Sequence, residues 1–349
     1  MNEKEIQQRL SRLISETNSH QLVMLNAGSF QRGSEDEFSK ELSALTYVRR
    51  EVIGRHFYEI PFADFVPVII SDGGLADNVL LMKNMAEMGN FEEAVTVADN
   101  FSVLYEAPSA FEKKMMPVFL WAAKARYGLM EMQRAIMEGC WDIVEERHKN
   151  RKRMWDLGLQ KLAFMGLKNK EQAEGLINSS FVQSNTTLLN KFLYQMDENE
   201  ISEFCRKALT AYRLQSNNSS WPTVFLMPLN DWIGLSAPVS AAAAYITKLD
   251  VLRKCFVQIT GNESFKIAGI AYLDSAVNAE IGLSKNRYVL YYSHEEVLHL
   301  NITQDFTTTS PSSANNFEFE DVAYGAFTGV AVSRPSEIIY FDFDDRSDS

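Results

Sequence analysis

Apolar positions along the chain change their spacing several times, and each change predicts an element. Between Leu129 and Met165 they recur at steps of three and four: Leu129, Met132, Ile136, Cys140, Ile143 and Val144, then Met154, Trp155, Leu159 and Leu162. That is helical spacing. With no Pro in the stretch, it predicts a helix of about 37 residues, roughly 55 Å long, against a usual length of about 11–12 residues. Gly139 and Gly158 fall inside it as points of bending or close packing. Upstream the pattern is extended. Asp64–Ile70 (DFVPVII) reads as a strand ended by Ser71-Asp72-Gly73-Gly74. Further apolar runs follow at Val79–Met82 and Ala94–Val97, and Phe111–Ala123 returns as a second extended segment. Two long strands joined by a turn region are only marginally stable in water and need something to lie on.

From residue 200 to 300 helices and strands alternate. Ile201–Leu214 is an amphipathic helix, Trp221–Pro228 a buried strand, and Asn230 caps a short helix through Leu235. Leu249–Val257 is helical, and Phe265–Leu273 and Arg287–Tyr292 are strands. This pattern predicts a compact α/β lobe. Ser293 and Glu296 have capping-box spacing, which predicts a short helix over His294–Leu300. Beyond residue 301 the chain returns to β character. Phe317-Glu318-Phe319-Glu320 alternates apolar with acidic, and Phe327–Val332 and Ile338–Phe343 are strands parted at Pro335. The first 55 residues are polar and mixed, with a helical piece at Glu3–Ile14, and read as an arm.

Composition adds limits. Hydrophobic residues make up 46% of the 349, enough for a substantial core. The net charge of −12 argues against a surface that gathers nucleic acid all over. Residues 301–349 hold nine acidic and two basic residues and supply most of that balance. Cys140, Cys205 and Cys255 are odd in number and far apart, which suits reduced thiols packed as small core residues. The N-terminal MNEKEIQQRL is charged and lacks the apolar stretch of a secretion signal. Gly234–Ile246 is too short to span a bilayer.

Chemistry is hard to find. The sequence has no phosphate-binding loop, dinucleotide fingerprint or nucleophile elbow. His294 and His299 are five residues apart, roughly 140° around a helix, so they do not converge on a metal. A hidden site would need His148, His294 and acidic groups brought together by the fold. No catalytic residue, cofactor or metal is therefore expected. One charged run stands out: Arg147, Lys149, Arg151, Lys152 and Arg153 lie within seven residues. It suits a solvated face paired with acidic neighbours, or a basic strip facing the phosphates of DNA.

Several stretches, taken in order, resemble a known family. Tyr127-Gly128-Leu129-Met130-Glu131-Met132-Gln133-Arg134-Ala135 resembles the start of its long spine helix, and Gly175-Leu176-Ile177-Asn178-Ser179 the turn that follows. Arg287–Tyr291 with Glu296–Leu300 resembles a late strand-then-helix signature. Phe327–Pro335 through Ile339–Asp342 resembles its closing strands. The family is that of the major capsid proteins of tailed bacteriophages, and the likeness runs over about residues 55–345. It implies an α+β fold of the Hong Kong 97 type. The N-terminal arm would be residues 1–57, and the extended E-loop hairpin with its flanking strands 58–127. The spine helix and peripheral domain would span 128–199, the axial domain 200–300, and the closing peripheral strands with an acidic tail 301–349.

The function so implied is mechanical. Copies of the chain would form hexamers and pentamers of an icosahedral head enclosing double-stranded DNA, with no sequence specificity and no membrane. Assembly would take place in the bacterial cytoplasm, with portal, scaffold and decoration proteins as further partners. Val79, Leu80, Leu81, Val118, Phe119 and Trp121 are the candidate inter-subunit contacts of the E-loop, at about 25 cal/mol per Å² buried. The alternative is an encapsulin-like nanocompartment shell with protein cargo.

Overall fold

The computed structural model describes residues 56–71, 74–86, 109–138, 143–168, 173–239, 245–315 and 317–343. The N-terminal helical piece Glu3–Ile14, the apolar run Ala94–Val97, Gly139 and the last acidic residues lie outside the described residues.

Strand alternation organises the molecule. Three strands, β6 (Val224–Pro228), β8 (Asn286–Tyr291) and β12 (Ile338–Phe343), are buried along nearly their whole length. Successive side chains of a strand point to opposite faces, and here each face meets a different hydrophobic cluster. Val224, Leu226, Val289, Tyr291, Ile338 and Tyr340 enter one. Phe225, Met227, Tyr288, Leu290, Ile339 and Phe341 enter the other. The sheet is completed by β5 (Ser184–Asn185) and β7 (Lys266–Ile270), in the order β5-β12-β8-β6-β7. It mixes parallel pairs (β5 with β12, β6 with β7) with antiparallel ones (β12 with β8, β6 with β8).

On one side of this sheet lie α3 (Glu198–Gln215) and α5 (Lys248–Thr260), packed on each other. Each begins in a capping box, Asp197 with Glu200 and Thr247 with Asp250, which satisfies amide donors left open at a helix start. Between them comes α4 (Leu229–Gly234). Its N-cap position is Pro228; the expected cap, Asn230, lies inside the helix. Trp232 of α4 packs so closely on β7 that a Cβ added at Gly269 would sit 2.3 Å from the Trp232 Cβ.

The other cluster is built on the spine and a second sheet. The predicted 129–165 helix is present as α1 (Leu129–Glu138) and α2 (Ile143–Met165), with the join outside the described residues. Gly158 marks no close contact, since a Cβ there would meet nothing within 4 Å. The second sheet runs β1 (Val68–Ile70), β9 (Leu298–Thr308), β11 (Glu318–Val332), β10 (Ser312–Asn315), and β4 (Phe119–Gly128) pairs with β11 as well. The ten-residue ladder between β4 and β11 runs from Gly128 opposite Glu318 to Phe119 opposite Phe327. Trp155 of α2 lies on this sheet over Gly325, where a Cβ would come 2.5 Å from the indole ring. Only a glycine admits that approach. Trp121, Phe327 and Phe306 surround the same area, and the ring centroids of Trp121 and Trp155 are 5.4 Å apart.

Two expectations fail here. His294–Leu300 is not a helix: residues 295–297 form a turn, and Leu298 already begins β9. The His294 carbonyl accepts from the Val297 and Leu298 amides, and then the chain extends because Leu298 and Leu300 are wholly buried in the sheet. The capping-box spacing of Ser293 and Glu296 was overridden by tertiary burial, and Glu296 instead pairs with Arg334 at 2.7 Å. The last strand also departs from expectation. Read with Phe327–Val332 as one of the closing strands, β12 instead leaves β11 through a 3-10 turn at Pro335–Glu337 and inserts between β5 and β8 of the other sheet. It carries Phe341 and Ile339 into the α3–α5 cluster.

A buried ion pair holds β12 there. Asp342 takes two hydrogen bonds from Arg287 of β8, both at 2.6 Å, and a third from the Ser184 hydroxyl. Arg287 also donates to the Ile177 carbonyl and lies 4.3 Å from the centroid of the Tyr340 ring. Truncating either partner strands the other charge in an apolar surround, a loss of about 3–5 kcal/mol. Asp342→Ala is therefore expected to lower unfolding stability by that amount in denaturant titrations. Gly325→Val should cost a comparable amount by displacing Trp155, about 3–5 kcal/mol if the indole contacts are lost.

Candidate assembly surfaces

The most unusual element is a ribbon. β2 (Asn78–Ala86) and β3 (Ser109–Pro117) pair in unbroken antiparallel register, Asn78 opposite Pro117 through Ala86 opposite Ser109. Nine residues at about 3.3–3.4 Å each give an arm of roughly 30 Å. Among the described residues, β2 and β3 hydrogen-bond to no other strand. A hairpin of this kind is marginal by itself. The sequence shows why it leaves the body: Pro117 cannot donate to a ladder, and at Val118 the chain passes from the ribbon to β4. The Val118 amide donates to the Asp77 carbonyl at 3.0 Å, which closes the root.

The six candidate contact residues divide at this root. Val79, Leu80 and Leu81 lie on β2, opposite Met116, Met115 and Lys114. Val79 and Val118 are half-buried. Phe119 and Trp121 belong to β4 and pack on the chain's own core, Phe119 against Phe327 and Trp121 against Trp155 and Phe306. Their dry surface is therefore largely supplied within the chain. Sequence reasoning missed Met115 and Leu120, which are 70% and 63% exposed. The β4 alternation carries the signal for Leu120, which shares an outward face with Ala122, Lys124 and Arg126. Ile70 and Leu75, leading into the ribbon, are 66% and 60% exposed. Beside the root a groove of about 460 Å³ runs between Met115, Met116 and Pro117 on one side and Phe181, Val330 and Val332 on the other.

The basic run does not form a free positive strip. Arg147 pairs with Glu131 at 2.7 Å, Lys149 with Glu145 at 2.7 Å, Lys152 with Asp156 at 3.1 Å and Arg153 with Glu59 at 2.9 Å. Arg151 turns inward. It is buried, meets the Asp321 carboxylate with two nitrogens at 2.7 and 3.0 Å, and donates to the Tyr127 hydroxyl. Arg151 thus ties α2 to β11 and the end of β4. The helical period explains the split: Arg151 shares its face with Trp155 and Leu159, four and eight residues on, and both are core residues.

The histidines also serve packing. His148 meets the Phe306 ring edge-on, His294 stacks on Tyr292, and the His299 ring contacts the Glu295 carbonyl at 2.8 Å. His148 lies on α2, His294 just before the turn and His299 on β9. Among the described residues no helix is long and apolar enough to cross a membrane.

The comparisons with known proteins agree with this geometry. A family model described as "Major capsid protein" matches residues 93–343. A search of curated proteins finds no match. Among solved structures, the capsid of Myoviridae phage XM1 is similar with a TM-score of 0.67 at 14% identity, covering 86% of this chain and 97% of that one. A structure from Mycobacterium phage Bobi gives 0.54 at 10% identity, over 89% and 98% of the two chains. The capsid of a native GTA particle gives 0.54 at 11%, over 90% and 100%. At such identities these likenesses speak to the fold.

The two kinds of cation in the basic run should separate in a stability assay. Arg151→Ala is expected to cost about 3–5 kcal/mol, because Asp321 is left buried and unpaired. Lys152→Ala, at the solvent edge, should change stability by less than about 1 kcal/mol. Chemical unfolding of the two variants side by side reads the difference.

Proposed function

The chain belongs to the major capsid protein family, a structural protein and not an enzyme, and on that premise we propose how its copies build a shell. The shell is the icosahedral head of a tailed bacteriophage or prophage, made of hexamers and pentamers and closed around double-stranded DNA. The observation that carries this proposal is the β2–β3 ribbon, an arm hydrogen-bonded to no other strand among the described residues. In the shell each ribbon lies across a neighbouring copy, and Val79, Leu80, Leu81, Val118, Met115 and Leu120 supply its apolar contacts. Burying one such side chain contributes about 1.5–3 kcal/mol. Each contact is modest, and a closed shell repeats it in every subunit.

The body around α2 and the β4–β11–β9 sheet acts as the peripheral domain, and the body around α3 and α5 as the axial domain. DNA contact is weak and unspecific. This is supported by the net charge of −12 and by the carboxylate partner of each cation in the 147–153 run. Portal, scaffold and decoration proteins are the further partners, and assembly takes place in the host cytoplasm.

Deleting Asn78–Ala107 should leave folded lobes that form no particles in electron micrographs; normal particles from this deletion would overturn the role given to the ribbon. Met115→Asp should weaken assembly by about 2 kcal/mol per contact, roughly a 30-fold rise in the concentration needed for shells. Light scattering against protein concentration measures it. Particles purified from an infected or induced host are expected to protect DNA from nuclease, and particles that hold only protein cargo would exclude the head function.

A further inference from the structure

Two cysteines 50 positions apart in sequence (255 − 205) meet across the α3–α5 contact. Cys205 of α3 is fully buried, and Cys255 of α5 is half-buried at the edge of the same hydrophobic cluster. The Cys255 Sγ reaches the α3 backbone, 3.9 Å from the Ser202 carbonyl oxygen, one turn before Cys205. The two side chains share one hydrophobic cluster, and each thiol shifts the other's ionisation. We propose that Cys205 and Cys255 form a redox pair that closes into a disulfide between α3 and α5 on contact with a low-molecular-weight disulfide.

The order of events follows from exposure. Cys255 meets solvent, so it reacts first. The neighbouring Cys205 thiol, helped by the Arg206 charge, lowers the Cys255 thiol to about 7, which favours the reactive thiolate. That thiolate attacks one sulfur of the small disulfide. A bond forms between Cys255 Sγ and that sulfur, the small disulfide's own bond breaks, and the leaving thiolate takes up the proton that Cys255 released. Cys205 then attacks the Cys255 sulfur, expels the second small thiol and gives up its proton to it. The protein loses two electrons and two protons, and the small disulfide becomes two thiols. The sulfurs must close to about 2.05 Å, between two helices already in contact. The neighbouring Cys255 thiol, and then burial, push the Cys205 thiol well above its ordinary range, so Cys205 serves as the resolving group and not as the first nucleophile.

A bond here ties α3 to α5 with no strand between them and stiffens the axial-side lobe. In a particle assembled in a reducing cytoplasm and released into an oxidising medium, it would form after assembly. That timing rests on the proposed shell function; the bond itself does not.

The test uses the full chain with Cys140→Ser, so that only this pair can react. The probe is oxidised glutathione at neutral pH, followed by alkylation and mass spectrometry. The expected product has lost two hydrogens, gives a linked Cys205–Cys255 peptide, and reverts on reduction with a fall in thermal midpoint. With Cys205→Ser added, the reaction should stop at a glutathione adduct on Cys255. With Cys255→Ser added, Cys205 should react at least about 10-fold more slowly, being buried. A stable glutathione adduct on Cys255 while Cys205 is present, or two alkylatable thiols after treatment, overturns the proposal. The Cys140→Ser chain decides this alone, even if either further variant fails to fold. Particle formation is scored separately, so failure of the bond and failure of the shell are distinguishable.

Discussion

The structure depends on a sheet that is dry on both faces. In β6, β8 and β12 every second side chain goes to the spine-side cluster and the others to the α3–α5 cluster. The strand repeat of two thereby joins two lobes through one wall. A slip of one residue in β12 would exchange Ile338 and Tyr340 for Ile339 and Phe341 and disturb both clusters at once. The Arg287–Asp342 pair fixes that register, because only one alignment brings the guanidinium to the carboxylate and leaves Tyr340 under it.

From this wall outward the molecule becomes progressively less self-sufficient. The spine helix α2 is seated by Trp155 over Gly325 and by Arg151 on Asp321. β4 shares those anchors through Trp121 and Tyr127. Past Pro117, Met116 is still buried beside β11, and beyond it the β2–β3 ribbon has only its own hydrogen-bond ladder among the described residues. A protein that rigidly fixes the root of an arm and leaves its flanks to be covered by sister molecules is suited to assembly. Its position is set in advance, so less ordering entropy opposes each contact.

Charge follows the same division. The buried pairs Arg151–Asp321 and Arg287–Asp342 lie at joints between elements, where a lost partner is costly. The exposed pairs along α2 neutralise a run that would otherwise present a positive stripe. On the proposed function such neutrality suits the wall, since one that bound DNA tightly would oppose both packing and release.

The sequence by itself determined the local elements. The helical spacing from Leu129 to Met165, the amphipathic Ile201–Leu214, the buried Trp221–Pro228 and Arg287–Tyr292, and the extended Val79–Met82 and Phe111–Ala123 all rest on short-range periodicity. Each reappears within a few residues of its predicted bounds, except Phe111–Ala123, which divides at Val118 into β3 and β4 of two different sheets. The ordered set of local likenesses also carried the family. What the tertiary structure alone decided is partnership. It turned His294–Leu300 from helix to turn and strand, because burial of Leu298 and Leu300 outweighs a capping box. It sent β12 to the sheet of β6 and β8, drew Arg151 inward while its neighbours stayed at the surface, and gave Phe119 and Trp121 partners in their own chain. Periodicity reports which face of an element is apolar. Which distant segment covers that face depends on long-range contacts that leave no spacing in the sequence to read.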